Sequence, residues 1–474
     1  MRVLALGFVL GLAAGCASAG GSAHPPHPAA APLSAPDAFP STYRPLPSRP
    51  TLIRGATILT AAGARIEHGS ILLRDGKVAA VGADGAIGAA PADAVVVEAA
   101  GKWVTPGIID IHSHLGVYPS PEVDALSDGN EATDPVTADV RAENSIWPQD
   151  PQFPLALEGG VTSMLVLPGS ANLIGGVGVA LKNVPSRTAQ GMRFPGAPYA
   201  LKMACGENPK RVYGSKGRMP STRMGNIAAT REAWIGAAEY RRKWSEYRAK
   251  AARGDKAEQP ERDLEKETLA AVLDGKILVQ NHCYRADEMA NMIDLAKEFG
   301  YKISAFHHAV ESYKIADLLK REGICSAMWA DWWGFKMEAF DGVRENIALV
   351  EQAGACAIVH SDSADGIQRL NQEAAKAMAA GNRMNGPSGR RFTEEDAIRW
   401  ITANPAKAMG IGDLTGTLEP GKMADVVLWS GDPFSVYSRT EKVYVDGALA
   451  YDRSDPSRQP RTDFELGLRG EEVR

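Results

Sequence analysis

The chain has 474 residues, of which 45% are hydrophobic and 23% charged, with a formal net charge of −5. This length suits a large barrel or two to three domains with a sizeable interior. The charge balance gives no global basic field of the kind that attracts nucleic acid, so we expect no nucleic-acid partner.

Residues 1–19 have the outline of an export signal. Arg2 precedes an apolar stretch over residues 3–14 that is too short to span a bilayer and is followed by small residues. Two processing sites stay open: cleavage after Ala19, or cleavage before Cys16, where AAGC resembles a bacterial lipoprotein box. We expect an exported protein, periplasmic or extracellular, whose contact with a membrane would be a lipid anchor at Cys16.

The two ends of the chain share one pattern. Short segments of alternating polarity, separated by Gly and Asp-Gly turns, occupy residues 51–103 and return in residues 411–455. They indicate antiparallel strands and hairpins, and we predict one small β-sandwich domain built from both pieces. The Pro-, Ala- and Ser-rich residues 20–50 would form a tether, and residues 456–474 a tail.

The middle of the chain, residues 104–410, alternates apolar strand-like runs with helical stretches, which is typical of βα repeats in an α/β fold. Eight candidate strands lie at residues 104–111, 161–167, 178–182, 200–204, 277–282, 302–307, 325–329 and 356–360. Eight strands close a TIM-type barrel, although the third is weakly marked. In such barrels the chemistry lies at the carboxyl ends of the strands.

A basic segment interrupts this rhythm within an insertion near residues 210–265. Residues 210–253 contain twelve Lys or Arg against three Glu. Trp234, Ala237, Trp244 and Tyr247 recur at roughly helical spacing. We interpret the segment as a solvated helical insertion with one face packed on the barrel; the alternative is a lid that attracts an anionic substrate group.

The four cysteines other than Cys16 are widely spaced and form no CxxC pair. We interpret them as buried thiols rather than a disulfide or zinc framework, even in an oxidising compartment. They are Cys205, Cys283, Cys325 and Cys356.

Histidines gather at the predicted strand ends. In DIHSH, alternate residues of a strand point to one side, so His112 and His114 can present two imidazoles to one metal ion. The other strand ends carry further candidate ligands: Lys202, His282, His307, His308, His360 and Asp362. Six of the nine histidines fall at these positions, which a random distribution would not favour.

In combination, VTPGIIDIHSH, the histidines after the fifth and sixth strands, the Asp after the eighth and LEPGKMADVVLW resemble the amidohydrolase superfamily, in its exported imidazolonepropionase-like and dipeptidase-like branch. The likeness runs from about residue 51 to 451. It implies one metal ion on His112, His114 and Asp362 and a second on His282 and His308. Lys202, carboxylated by carbon dioxide, would bridge the two. Zinc suits these ligands, and so do iron and manganese.

Several assignments have rivals. Glu207 can replace Lys202 as the bridging group, and only one of the adjacent His307 and His308 can easily face the metals, with His308 preferred. His282 would also make sense as a core histidine, and Asp362 as a helix cap. The candidate substrate contacts are His307, Glu207, Arg211, Trp332 and His360, with Arg211 available to pair with a substrate carboxylate and Trp332 to form an apolar wall.

The resemblance implies a hydrolase of C–N bonds in small amides. Metal-activated hydroxide would attack the carbonyl, and Asp362 would act first as base and then as acid. Dipeptides, N-acyl amino acids and cyclic amides are the candidate substrates, and a homo-oligomer stays open. A mononuclear deaminase or imidazolone-type hydrolase is the first alternative, but it needs a Glu where Arg285 stands, and Glu311 has that spacing one strand late. A non-catalytic scaffold is the second alternative.

Overall fold

The computed structural model describes residues 39–385 and 389–460. The predicted export signal with Cys16, most of the tether and most of the tail lie outside the described residues. None of the helices in the described part is long and apolar enough to cross a membrane.

The first sheet combines strands from both ends of the chain, as predicted. Its eight strands are β1 (Thr51–Ile58), β2 (Ile66–Arg74), β3 (Lys77–Ala83), β4 (Val95–Glu98), β5 (Trp103–Pro106), β14 (Val426–Trp429), β15 (Thr440–Val445) and β16 (Ala448–Asp452). The two ends meet where β5 pairs in parallel with β1 and antiparallel with β14. Hydrogen bonds link all eight strands into one mixed sheet rather than the two bonded layers expected of a sandwich.

The second sheet is a nearly closed barrel. Its eight strands follow chain order: β6 (Ile108–Ser113), β7 (Val161–Val166), β8 (Ile174–Lys182), β9 (Ala200–Ala204), β10 (Leu278–Cys283), β11 (Ile303–His308), β12 (Cys325–Met328) and β13 (Cys356–Val359). Ile109 and Ile358, from its first and last strands, share one apolar cluster. The backbone N–H of Asp362 donates to the carbonyl of His112 at 3.0 Å, which joins the two ends of the sheet.

All eight predicted barrel strands exist, but the third has the wrong direction for a TIM-type barrel. β8 pairs antiparallel with both β7 and β9. Residues 167–173, which connect β7 to β8, are too few for the crossover that a parallel neighbour needs. The barrel therefore departs from the all-parallel arrangement expected from the sequence.

The predicted first barrel strand, residues 104–111, is divided between the two sheets. β5 belongs to the first sheet and β6 to the barrel, with Gly107 between them. A side chain at Gly107 would overlap Thr162, since a Cβ there would lie 2.0 Å from Thr162 Oγ1. The close approach requires glycine at this junction.

The helices connect and cover the barrel strands. They are α1 (Gln152–Glu158), α2 (Ala189–Met192), α3 (Glu207–Gly214), α4 (Arg223–Ala252), α5 (Leu264–Leu273), α6 (Ala286–Phe299), α7 (Ala316–Glu322), α8 (Asn346–Gln352), α9 (Leu370–Asn385), α10 (Glu394–Trp400) and α11 (Ala403–Ala408). The basic segment contains α4, which begins after Thr222, whose side chain caps it by accepting from the N–H of Gly225. Trp234, Ala237 and Trp244 are buried along one face of α4, as their spacing predicts, whereas Tyr247 is only partly buried.

The interpretation of the four cysteines as buried thiols is wrong. Cys205 is bonded to Cys283 and Cys325 to Cys356, with Cα atoms 5.2 Å and 4.5 Å apart. Each disulfide connects neighbouring barrel strands, and Cys325 and Cys356 are direct partners in the register of β12 and β13. The bonded cysteines are 78 and 31 residues apart in the chain. Spacing in the sequence predicts only pairs that are close along the chain, so it could not predict these two.

Candidate metal centre and active site

The two histidines of β6 meet at their Nε2 atoms. His112 Nε2 lies 3.3 Å from His114 Nε2, so the alternation of the strand does bring both rings to one place. His114 Nδ1 lies 2.8 Å from the carbonyl oxygen of Leu167. A carbonyl only accepts, so Nδ1 carries the proton and Nε2 keeps a free lone pair.

A chain of hydrogen bonds gives His112 the same tautomer. The Gln280 amide donates to the carbonyl of Ala408 at 3.1 Å, so its Oε1 is the atom 2.7 Å from His307 Nε2. His307 therefore donates through Nε2 and accepts at Nδ1 from His112 Nδ1–H, 2.9 Å away. The lone pair of His112 is left on Nε2, beside His114.

Asp362 completes the first group. Its Oδ1 lies 3.2 Å from His114 Nε2 and 3.5 Å from His112 Nε2. Asp362 has a left-handed backbone (φ +49°), held by the hydrogen bond from its N–H to His112. Two imidazole nitrogens and a carboxylate oxygen whose lone pairs converge repel one another unless a cation lies between them. This donor set fits a divalent metal such as zinc.

A second group of unsatisfied nitrogen atoms lies beside the first. Among the described residues, neither ring nitrogen of His282 has a hydrogen-bond partner, and Nδ1 of His308 has none either. Both side chains are almost fully buried, and their ring centroids are 4.5 Å apart. Buried polar atoms are rarely left unsatisfied, so these nitrogens fit a second cation as predicted.

Lys202 lies beside the first group, and its charge also acts on both histidines of the second. Its Nζ is 3.5 Å from His112 Nε2 and donates to the carbonyl of Pro168 at 2.8 Å. Burial lowers the pKa of Lys202 to about 8, which raises the fraction of neutral amine that can form a carbamate. Its rival Glu207 lies farther out, with Oε1 3.7 Å from Lys336 Nζ. The burial of Lys202 beside His112 is compatible with the bridging role that the resemblance implies.

Four of these histidines are neutral because they are buried. Burial lowers the pKa of His112, His282 and His308 well below the ordinary value, and that of His360 to about 3. His360 Nε2 accepts from the backbone N–H of His308 at 3.3 Å. His112, His308 and His360 also carry nitrogens that lie close together. Because Nε2 of His360 accepts a hydrogen bond, its Nδ1 carries the proton, and His360 has no free lone pair for an ion while that bond is made.

Only some of the predicted substrate contacts lie where a substrate could reach them. Trp332 lies at the mouth of the site, whereas Arg211 is exposed on α3 and lines neither of the two cavities described below. His307 lies behind His112 with both ring nitrogens engaged, and has none left for a substrate. Adjacent histidines on a strand point to opposite sides, which is why His308 and not His307 faces the second group.

Sequence reasoning missed Asp110 and Ser361. The buried carboxylate of Asp110 accepts from the backbone N–H groups of His112 and Ser361, each at 3.2 Å, and from the Ser361 hydroxyl. Burial raises the pKa of Asp110 to about 7, against the lowering effect of these hydrogen bonds. Asp110 thus fixes the ends of β6 and β13 together; its position two residues before His112 was the available signal.

Two cavities open onto the site. One of about 350 Å³ is lined by His308 and the loop after β12, and the other, of about 600 Å³, by His114, Asp362 and residues after β6. Trp332 lines both. A substrate can therefore approach both predicted metal positions from solvent.

The barrel and the site together define a class of protein. A metal-dependent hydrolase, in which a cation activates water, typically has such residues at the ends of its barrel strands: imidazoles, a carboxylate and a buried lysine. The chain belongs to the amidohydrolase family, whose model matches residues 103–452.

Individual relatives support this membership. Amidohydrolase tasK of Hapsidospora irregularis is 33% identical over 435 residues, which cover 85% of this chain but only 43% of that protein. The imidazolonepropionase of Mesorhizobium japonicum is 24% identical over 77% of this chain and 87% of its own length. The crystal structure of an amidohydrolase from Thermotoga maritima MSB8 matches with a TM-score of 0.77 and 36% identity, covering 85% of this chain and all of that one.

Proposed function

We propose that the protein hydrolyses C–N bonds of small amides with two divalent metal ions, most suitably zinc, and that its substrates are dipeptides or N-acyl amino acids, with cyclic amides as the remaining class. The observation that carries this proposal is the convergence of Asp362 Oδ1 with the lone pairs of His112 and His114. The unpartnered nitrogens of His282 and His308 support the second ion.

The protein's own residues divide the work. Bound cations would supply Lewis acidity and lower the pKa of water at the site. Asp362, which lines the larger cavity, is placed to take a proton from that water at its carboxylate and return it to the leaving nitrogen. Burial raises the pKa of Asp362, but its contacts with His114, His360 and Lys202 outweigh burial and bring the pKa below the ordinary value. The carboxylate is therefore ionised and ready to act as base.

The mononuclear alternative takes its support from the imidazolonepropionase relatives. It requires an acid near the fifth barrel strand, where Arg285 instead forms an ion pair with Asp287 at 3.0 Å. Glu311 accepts from the N–H of Ala286 at 2.8 Å and lies 3.1 Å from Lys314. Glu311 is thus engaged in holding α6, and we favour the two-metal reaction.

Replacing Asp362 tests the proposal. Asp362→Asn should lower amide hydrolysis by about 10²- to 10⁴-fold, because proton transfer by a positioned group contributes that much. Metal content should fall far less than activity, since the five other predicted ligands remain. Asp317→Asn, a matched change on α7 at a side chain that is 84% exposed, should hydrolyse amides like the unmodified protein. Full activity in Asp362→Asn, or one ion per chain in the active protein, would refute the two-metal proposal.

We also propose that the protein is exported. The two disulfides support this, because such bonds persist in oxidising compartments. Cell fractionation and the mass of the mature amino terminus would test it and would decide between Cys16 and the residue after Ala19 as the new terminus. A full-length protein in the cytoplasm would contradict the proposal.

A further inference from the structure

The smaller cavity has an aromatic wall that begins at a predicted metal ligand. The ring of His308 stacks on Trp329 with centroids 4.4 Å apart, and Trp329 stacks on Trp332 at 4.8 Å with the planes 12° apart. Trp332 is 41% exposed and Trp333, which lines the same cavity, is 60% exposed. Large aromatic surfaces left open beside a reaction centre offer a packing face for a ring or other apolar group of a substrate.

The same cavity also contains a positively charged side chain. Arg344 lines it and is exposed, and within residues 39–385 and 389–460 the guanidinium forms no ion pair. Asp331, the acidic residue of this wall, is already paired with Lys376 at 2.9 Å. A guanidinium in this setting is suited to a bidentate pair with a carboxylate.

The larger cavity is unsuited to a substrate carboxylate. Besides Asp362, it is lined by Glu122, Asp124 and Asp365. Glu122, Asp124 and Asp365 form no ion pair with any residue in the described part of the chain, so they repel an anion. A substrate with one carboxylate would place it on the Arg344 side of Trp332.

Resting on the proposed amide hydrolysis, we propose that the preferred substrates release an aromatic amino acid. Its ring packs on Trp332 and Trp333, and its carboxylate pairs with Arg344. In a dipeptide or N-acyl amino acid the free carboxylate belongs to the residue that leaves as the amine, so the smaller cavity is the leaving-group side. The acyl part then extends into the larger cavity. Arg344 takes the role that the sequence suggested for Arg211.

Binding and turnover test this separately. Metal-loaded Asp362→Asn protein should bind Ala-Phe about ten- to a hundredfold more tightly than Ala-Ala by calorimetry, and also more tightly than the phenethylamide of alanine, which lacks the carboxylate. In the Asp362→Asn protein, the further change Arg344→Gln should lower the affinity for Ala-Phe to that for the phenethylamide. Adding Trp332→Ala should lower the preference for Phe over Ala, and Trp332→Phe should keep most of it. Arg211→Gln should leave binding of Ala-Phe unchanged.

The outcomes distinguish the two proposals. Equal binding of Ala-Phe and Ala-Ala, or loss of Ala-Phe binding in Arg211→Gln but not in Arg344→Gln, would overturn the aromatic subsite. If unmodified protein cleaves amides without preferring aromatic leaving residues, the subsite fails and the amide hydrolase stands. If Arg344-dependent binding is present but no amide is cleaved, the subsite stands and the proposed reaction fails.

Discussion

At the scale of single residues, the chain of hydrogen bonds behind His112 determines which of its nitrogens is free. Gln280→Leu removes the acceptor of His307 Nε2 and frees both rings to change tautomer. We expect metal affinity to fall about 10- to 100-fold, the usual effect of losing an outer partner of a ligating histidine. Titration against a competing chelator measures this. Gln368→Leu, a glutamine change outside the site, should bind metal normally, and unchanged affinity in Gln280→Leu would show that the chain has no such role.

The Lys202 amine predicts a pH dependence. Because burial brings its pKa down to about 8, the neutral form becomes abundant as the pH rises through that value, whereas an exposed lysine stays charged. Only the neutral amine reacts with carbon dioxide. Metal-free protein reconstituted with zinc at the same concentration of dissolved ¹³CO₂ should therefore acquire a carbamate signal in NMR faster at pH 9 than at pH 6.5. A rate independent of pH, or a signal that persists in Lys202→Ala, would contradict this assignment.

At the scale of elements, the two disulfides fasten strands that carry the site. Cys205 follows β9 with Lys202, and Cys283 follows His282 at the end of β10. Replacing both Cys205 and Cys283 by serine should lower the free energy of unfolding by about 2 to 5 kcal/mol, measured by urea denaturation. Alkylation of unreduced, denatured protein should label none of the four cysteines. Full labelling would restore the interpretation as thiols.

Strand existence followed from the sequence, but direction and partners did not. The apolar run of β8 predicts a buried strand. Its antiparallel direction follows only from the short connection to β7 over residues 167–173. Likewise, His112 and His114 could be predicted as a pair because strand alternation is local. The role of Gln280 behind His307 depends on contacts between strands that no local pattern encodes.

At the scale of the whole molecule, a buried ionic cluster fastens the barrel to the first sheet. Lys182, at the end of β8, donates to both oxygens of Asp425 and to Asp446, each at 2.9 Å. Lys182→Met should lower the free energy of unfolding by about 3 to 5 kcal/mol, since two buried carboxylates lose their cation. Chemical denaturation measures this. The matched exposed change Lys243→Met on α4 should have little effect, and equal stability of the two variants would show that the cluster does not stabilise the fold.

We propose that side chains at the ends of the first and last strands of the barrel bind metal at one site. The most direct measurement is an anomalous difference map from crystals of zinc-loaded protein, collected on both sides of the zinc absorption edge. We predict one peak within bonding distance of His112 Nε2, His114 Nε2 and Asp362, and a second beside His282 and His308. Crystals with full zinc occupancy elsewhere and no peak at these residues would contradict the account.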